Sequence, residues 1–362
     1  MNQRTNTSSD QHPDAEGIGP RLDSALTRRG FTTRRLRLRA AAVIVAITAG
    51  VSGVLLYNLT NVLGPDTVCG GAATADDLHA ALGPGRISEE KSSGYSPTAY
   101  DRTNSCVATV SSGLFGKSER SASFSIGFNQ NSVAYRPDPD TRLFSGASAG
   151  GVTPDRAWAL LPEGCTKGLF TDINVGKGSL DGDRAEGAAR MAVAYANLVA
   201  KDKNCGDGKM QAPGNLSATG SPQPVDPGGI CGLPGMAPAM NPGIKDRYRQ
   251  QATTAFGPVW SCRISDPSDQ NTLASFTITT DARVTGLDPE EARSEAYGRS
   301  RFITAPGENV VATCQGKATY FHLERSYDPS VSGSGLFADG KDLWKQFLTA
   351  GGKAIGCEPL IP

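Results

Sequence analysis

The sequence predicts an α+β protein: a single N-terminal transmembrane helix followed by two tandem, homologous, disulfide-bonded modules, each an antiparallel sheet packed with helices. Three observations predict it. A stretch without charge, residues 40–64, follows a basic head. All eight Cys lie beyond that stretch. The spacing of the first four Cys, and the strand patterns around them, recur around the second four.

The charge distribution comes first. The chain of 362 residues carries 36 basic and 36 acidic side chains. Residues 1–39 hold eight Arg, no Lys and four acids, while residues 65–362 hold 28 basic and 32 acidic groups. A basic head, an apolar bar and a mildly acidic body form a membrane pattern. A nucleic-acid binder would concentrate positive charge on its folded part instead, so no nucleic-acid partner is expected.

Residues 40–63 are the predicted span. At about 1.5 Å per residue they are long enough for a hydrocarbon core of roughly 30 Å. Arg28, Arg29, Arg34, Arg35, Arg37 and Arg39 crowd the amino-terminal flank, and the next basic residue is Arg86. The positive-inside rule therefore places the polar tail, residues 1–39, in the cytoplasm as a disordered segment. It places the body outside a cell (plasma) membrane. Thr27-Arg28-Arg29-Gly30-Phe31 resembles a twin-arginine export signal, which makes cleavage the competing reading.

The Cys are at positions 69, 106, 165, 205, 231, 262, 314 and 357. An even count confined to the exported side argues for disulfides in an oxidising compartment. No CxxC pair occurs, and only His79 and His322 accompany the Cys beyond the apolar run. No metal or cofactor site is expected. The first four Cys are 37, 59 and 40 positions apart, the second four 31, 52 and 43. Four Cys allow three pairings per module. The sequential one, Cys69–Cys106, Cys165–Cys205, Cys231–Cys262 and Cys314–Cys357, is favoured because it ties the first and last helix of each module to a strand.

Local patterns divide the chain in the same way. Ala122-Ser123-Phe124-Ser125-Ile126 and Ala274-Ser275-Phe276-Thr277-Ile278 each alternate as a strand with Phe and Ile on one face. Asp138-Pro139 and Asp288-Pro289 read as starts of short helices stopped by Gly146 and Gly298. Leu169–Val175 and Ala318–Leu323 read as strands. Asp183 with Glu186, and Asp339 with Asp342, read as capped starts of the last helix of each copy. Thr74–Leu82 reads as a helix capped by Thr74, whereas its counterpart in the second copy is expected around Ile244–Gln251. Module 1 is thus placed at residues 66–206 and module 2 at 231–362. A Pro/Gly-rich linker, residues 207–230, joins them. The copies correspond best from their second Cys onward, so differences in binding are expected in their first segments.

A Cys before a short helix ending in Ala81-Leu82-Gly83, then a strand opened by Asn104-Ser105-Cys106-Val107, resembles two groups of actinobacterial proteins. These are the small exported α+β domains of envelope lipoproteins and the two-disulfide extracellular sensor domains of receptor kinases. The resemblance implies a fold and a compartment, and no activity.

A search for chemistry yields no catalytic residue. His79 reads as a solvated helix residue. His322 lies between Phe321 and Leu323, so alternation places it toward solvent. Asp181 with Asp183, and Glu290 with Glu291, are the candidate carboxylate pairs for a glycosidase, but helix capping already accounts for Asp183 and Glu291. Lys201, Lys203 and Lys209 read as a solvated helix end. The expected role is a non-enzymatic, sensor-like or scaffolding ectodomain that binds an envelope protein or cell-wall ligand. The alternatives are a cell-wall or carbohydrate-active hydrolase and a structural subunit of a membrane complex, its helix pairing through Gly50 and Gly53.

Overall fold

A computed structural model describes residues 34–357 apart from 60, 62–63, 101–103, 114–117, 129–140, 163, 166–168, 207–208, 241–247, 267–271, 282, 284–300, 304–306 and 326–335. Contacts divide the chain into two compact units, Met1–Tyr57 and Asn58–Pro362.

Among the described residues the first unit consists of helix α1 (Arg34–Leu59), which runs on past Tyr57. It stands where the sequence predicts a membrane span, but the span itself is not found: among the described residues no helix is long and apolar enough to cross a membrane. The helix begins in Arg-rich turns, and the side chains from Val54 onward lie outside the described residues. Between Ala41 and Gly53 every residue is exposed, Val43, Ile44, Val45, Ile47 and Val51 included.

The second unit opens with a small hairpin, β1 (Thr67–Val68) and β2 (Ala73–Thr74), followed by α2 (Ala75–Leu82). Thr74 caps α2 by accepting the Asp77 N–H at 3.1 Å, and Gly83 ends it at φ 89°. Seven strands form the first sheet: β3 (Arg86–Lys91), β4 (Cys106–Ser112), β5 (Ser118–Phe128), β6 (Arg142–Phe144), β7 (Gly150–Thr153), β8 (Arg156–Leu160) and β9 (Leu169–Gly176). Their spatial order is β3-β4-β5-β9-β8-β7-β6, and all pairs are antiparallel. Helix α3 (Asp183–Asp202) lies against this sheet with α2, burying Ala188, Ala192, Tyr195 and Val199. It approaches α2 so closely at Gly187 that a Cβ there would come within 2.7 Å of the Ala80 backbone.

The second sheet contains β10 (Gln223–Pro224), β11 (Arg249–Ala252), β12 (Val259–Ser265), β13 (Thr272–Thr279), β14 (Arg301–Ile303), β15 (Gly307–Cys314) and β16 (Lys317–Arg325). Its order is β10-β11-β12-β13-β16-β15-β14, again antiparallel. Helix α4 (Gly340–Ala354) buries Leu343, Trp344, Phe347 and Leu348. The Phe347 ring is the hub of the core, 5.0 Å from Phe276, 5.7 Å from Trp344 and 6.5 Å from Trp260 between centroids.

Without the edge strands β6 and β10, the two sheets have one strand order: β3-β4-β5-β9-β8-β7 and β11-β12-β13-β16-β15-β14. Their registers agree as well. Cys106 pairs with Phe124 and Phe124 with Ile173, just as Cys262 pairs with Phe276 and Phe276 with Leu323. The Cys pair in sequential order: Cys69 with Cys106, Cys165 with Cys205, Cys231 with Cys262 and Cys314 with Cys357.

Several local readings change. Asp183 is the first residue inside α3 and Gly182 is its cap position, with no side-chain cap bond, so the Asp183/Glu186 capping box does not form. Asp339 does cap α4, accepting the Lys341 N–H at 2.8 Å. The expected helix at Ile244–Gln251 is replaced at its carboxy end by strand β11, and residues 241–247 lie outside the described residues. Sheet pairing with β12 outweighs the helical tendency there. The helix starts at Asp138-Pro139 and Asp288-Pro289, with Gly298, also lie outside the described residues, but strand β6 stands where the first of these helices is expected to run to Gly146.

The Pro/Gly-rich segment is built into both sheets. Ser217 donates its N–H to Leu143 O at 2.7 Å, and Gly220 donates to Ala252 O at 2.8 Å. Gln251 Nε2 clamps Gly220 O at 3.0 Å. Beside it, Val259 of β12 is buried with Leu143, Ala149, Trp158, Leu160 and Phe170. This small apolar cluster joins the two halves.

Candidate functional site

The pinned segment and β11 form the walls of a groove of about 270 Å³. Its described lining comprises Gly220, Ser221, Gln223, Cys231, Gly232, Gln250, Ala252, Thr253, Thr254, Ala255, Phe256 and Trp260. None of these carries a charge, since Cys231 is disulfide-bonded.

Local structure sets each side of the groove. Gln223 and Gln250 are directly paired across β10 and β11. Opposed residues of an antiparallel pair point to one face, so two amides stand side by side. Gln250 Oε1 accepts the Cys231 N–H at 2.8 Å, which leaves its Nε2 as the atom it offers a ligand. That bond supports Cys231 at φ 62°, a left-handed conformation that a non-glycine residue adopts at a cost. On the other side the chain turns after β11. Thr254 is fixed by donating its N–H to Ala218 O at 2.9 Å. Phe256 stacks on Trp260 at 5.3 Å with 16° between the ring planes. Trp260 is 2% exposed and belongs to the core, whereas Phe256 is 44% exposed. The exposed ring therefore rests on a rigid base.

The corresponding place in the first half is ionic. Glu89 aligns with Gln250 by strand register, and Glu89 Oε2 accepts the Cys69 N–H at 2.6 Å. Cys69 is also left-handed, at φ 53°. Lys91, which aligns with Ala252, sits 2.7 Å from Glu89. Burial pushes the Glu89 carboxyl upward, but the Lys91 hydrogen bond and the Cys69 N–H outweigh it and hold the group below 4.5. Tyr95 lies close by and donates to Cys69 O at 3.2 Å. Burial, with the Glu89 charge second, pushes Tyr95 up to about 12, so it stays neutral. Cys69, Glu89 and Cys106 place three potential metal-ligand atoms within 4.8 Å of one another. Both sulfurs are spent in one disulfide and Glu89 is paired with Lys91, so this set does not suit a metal ion.

The residues weighed for chemistry are scattered. His79 is half-buried on α2, its Nε2 2.9 Å from Gly85 O, and so braces the turn that follows. His322 is buried, not solvated. Alternation misleads at this point because the second face of the sheet is covered too: Ser261, Arg263, Ser275, Thr277 and Thr279 are all buried. Burial pushes the His322 imidazole down to about 3. Asp181 and Asp183 are exposed at the start of α3, and Glu290 and Glu291 lie outside the described residues. Lys201, Lys203 and Lys209 are exposed. None of the described ones among them lines the groove. Gln, Thr and Phe carry no motif; the signal available was the divergence of the first segments, where Cys231 through Trp260 fall, while Gly220, Ser221 and Gln223 fall in the stretch read as a linker.

The chain matches no protein-family model, no curated protein and no solved structure.

Proposed function

We propose that this is a single-pass plasma-membrane protein whose extracytoplasmic part, a duplicated disulfide-bonded module, binds a ligand or partner at the cell envelope without catalysing a reaction. The observation that carries the binding role is the groove. It couples a firmly backed, exposed aromatic ring to two paired amides. Its described lining offers no side chain able to move a proton near neutral pH, so recognition is the chemistry it favours.

The remaining parts of the reading have separate supports. Duplication is supported by the common six-strand order, the Phe124 and Phe276 registers and the left-handed Cys69 and Cys231. An oxidising compartment is supported by four disulfides. Anchoring is supported by the uncharged stretch of residues 40–64 behind a run of Arg, and by the exposed Val43, Ile44, Val45, Ile47 and Val51 along α1, side chains that lipid accepts and water does not. Residues 1–39 are then cytoplasmic.

The test uses the full chain in intact bacterial cells, followed by alkaline extraction of their membranes. The protein is expected to stay in the membrane pellet, and protease added outside should remove the body from intact cells. Release by alkali, or a body protected until lysis, would overturn the topology.

A further inference from the structure

We infer that the groove takes an uncharged saccharide, one pyranose or furanose ring lying on Phe256 and its hydroxyls reaching Gln223, Gln250 and Thr254; this rests on reading the groove as a binding site.

Three features select that class. First, the described lining is without charge, while the aligned place in the first half holds the Glu89–Lys91 ion pair. A charged ligand would be desolvated against Gln250 and Ala252 with no counter-charge, which is costly. A ligand rich in hydroxyls finds amide and hydroxyl partners and incurs no such penalty. Second, Phe256 is, with Tyr100, one of two large apolar side chains left exposed among the described residues outside α1. The C–H face of a sugar ring suits an aromatic plane, and here the plane is backed by Trp260, itself stacked on Phe347. Little order has to be gained on binding. Third, a volume of about 270 Å³ lies at the small end of ligand sites and fits one or two rings better than a folded partner.

The experiment uses the full chain in detergent micelles and reads Trp fluorescence, since Trp260 lies under the platform. One set of probes is uncharged: gluco-, galacto-, manno-, arabino- and N-acetylglucosamine trisaccharides. A second set is a polygalacturonate oligomer and a proline-rich decapeptide. Saturable binding of an uncharged sugar is expected. Phe256→Ala should weaken it on the order of tenfold, with Phe256→Trp restoring it. Circular dichroism melts confirm that the exposed-site variants fold. Binding confined to the second set, and lost in Phe256→Ala, overturns the saccharide while keeping the groove as a site. Binding of neither set overturns both. Sugar binding that Phe256→Ala leaves unchanged overturns the placement on this ring.

Discussion

Glu89 and Gln250 do the same structural task in the two halves: each accepts the backbone N–H of a left-handed half-cystine, at 2.6 and 2.8 Å. One does it with a carboxylate paired to Lys91, the other with a neutral amide facing the groove. The common strand order thus carries a charged surface in one half and an uncharged one in the other.

Glu89→Gln should therefore fold and keep the Cys69–Cys106 bond, because Gln250 already supplies the same acceptor in the second half. The pH dependence should change. The Glu89 carboxyl is held below 4.5 in the folded chain, so its contribution is present above that value and is lost as pH falls through the folded pKa. Thermal melts of Glu89→Gln from pH 6 to 3 should show a shallower acid decline than the parent. An equal decline would refute the linkage.

His322 gives a second pH dependence at higher pH. The folded imidazole is pushed down to about 3 by burial, whereas an unfolded one titrates near 6.5. The unfolded chain then binds more protons between these values, so stability falls as pH drops from 6.5 toward 3. Native-state NMR should show a neutral imidazole at pH 5, and His322→Gln should reduce the loss of stability over that window. A charged His322 at pH 5 in the folded protein would contradict this account.

Gly187→Ala sets two effects against each other. Replacing a helical Gly with Ala gains about 1 kcal/mol in propensity. Here the added Cβ would meet backbone atoms of Ala80 and Ala81 at 2.7 and 2.8 Å, which α2 relieves only by moving. Overpacking of this kind costs about 1–3 kcal/mol, so net destabilisation is expected in urea melts.

Val259→Asp should uncouple the halves. Val259 is 1% exposed among Leu143, Trp158, Leu160 and Phe170, and a carboxylate there would be desolvated in a cluster that holds no cationic side chain. The body should melt in one transition in the parent and in two, or at a markedly lower temperature, in the variant. Calorimetry of the full chain in micelles decides; an unchanged single transition would show that the cluster does not couple them.

Much of this architecture is legible in the order of residues. The Cys placement marks the two halves, Phe124 and Phe276 mark equivalent strands, and Thr74 and Asp339 mark helix starts, because periodicity, capping and loop closure act over a few residues or through covalent bonds. The groove is different. Gln250 reads as part of a helix by local pattern and Ser221 as linker, while no pattern singles out Phe256, and they meet only when β10 pairs with β11 and Thr254 binds Ala218. His322 likewise follows the alternation rule until the second sheet face is covered. Local sequence thus determined the elements and the order in which the Cys pair. Tertiary contacts decided which polar residues are buried and which line a site, because burial depends on what packs from elsewhere in the chain and no short-range pattern encodes it.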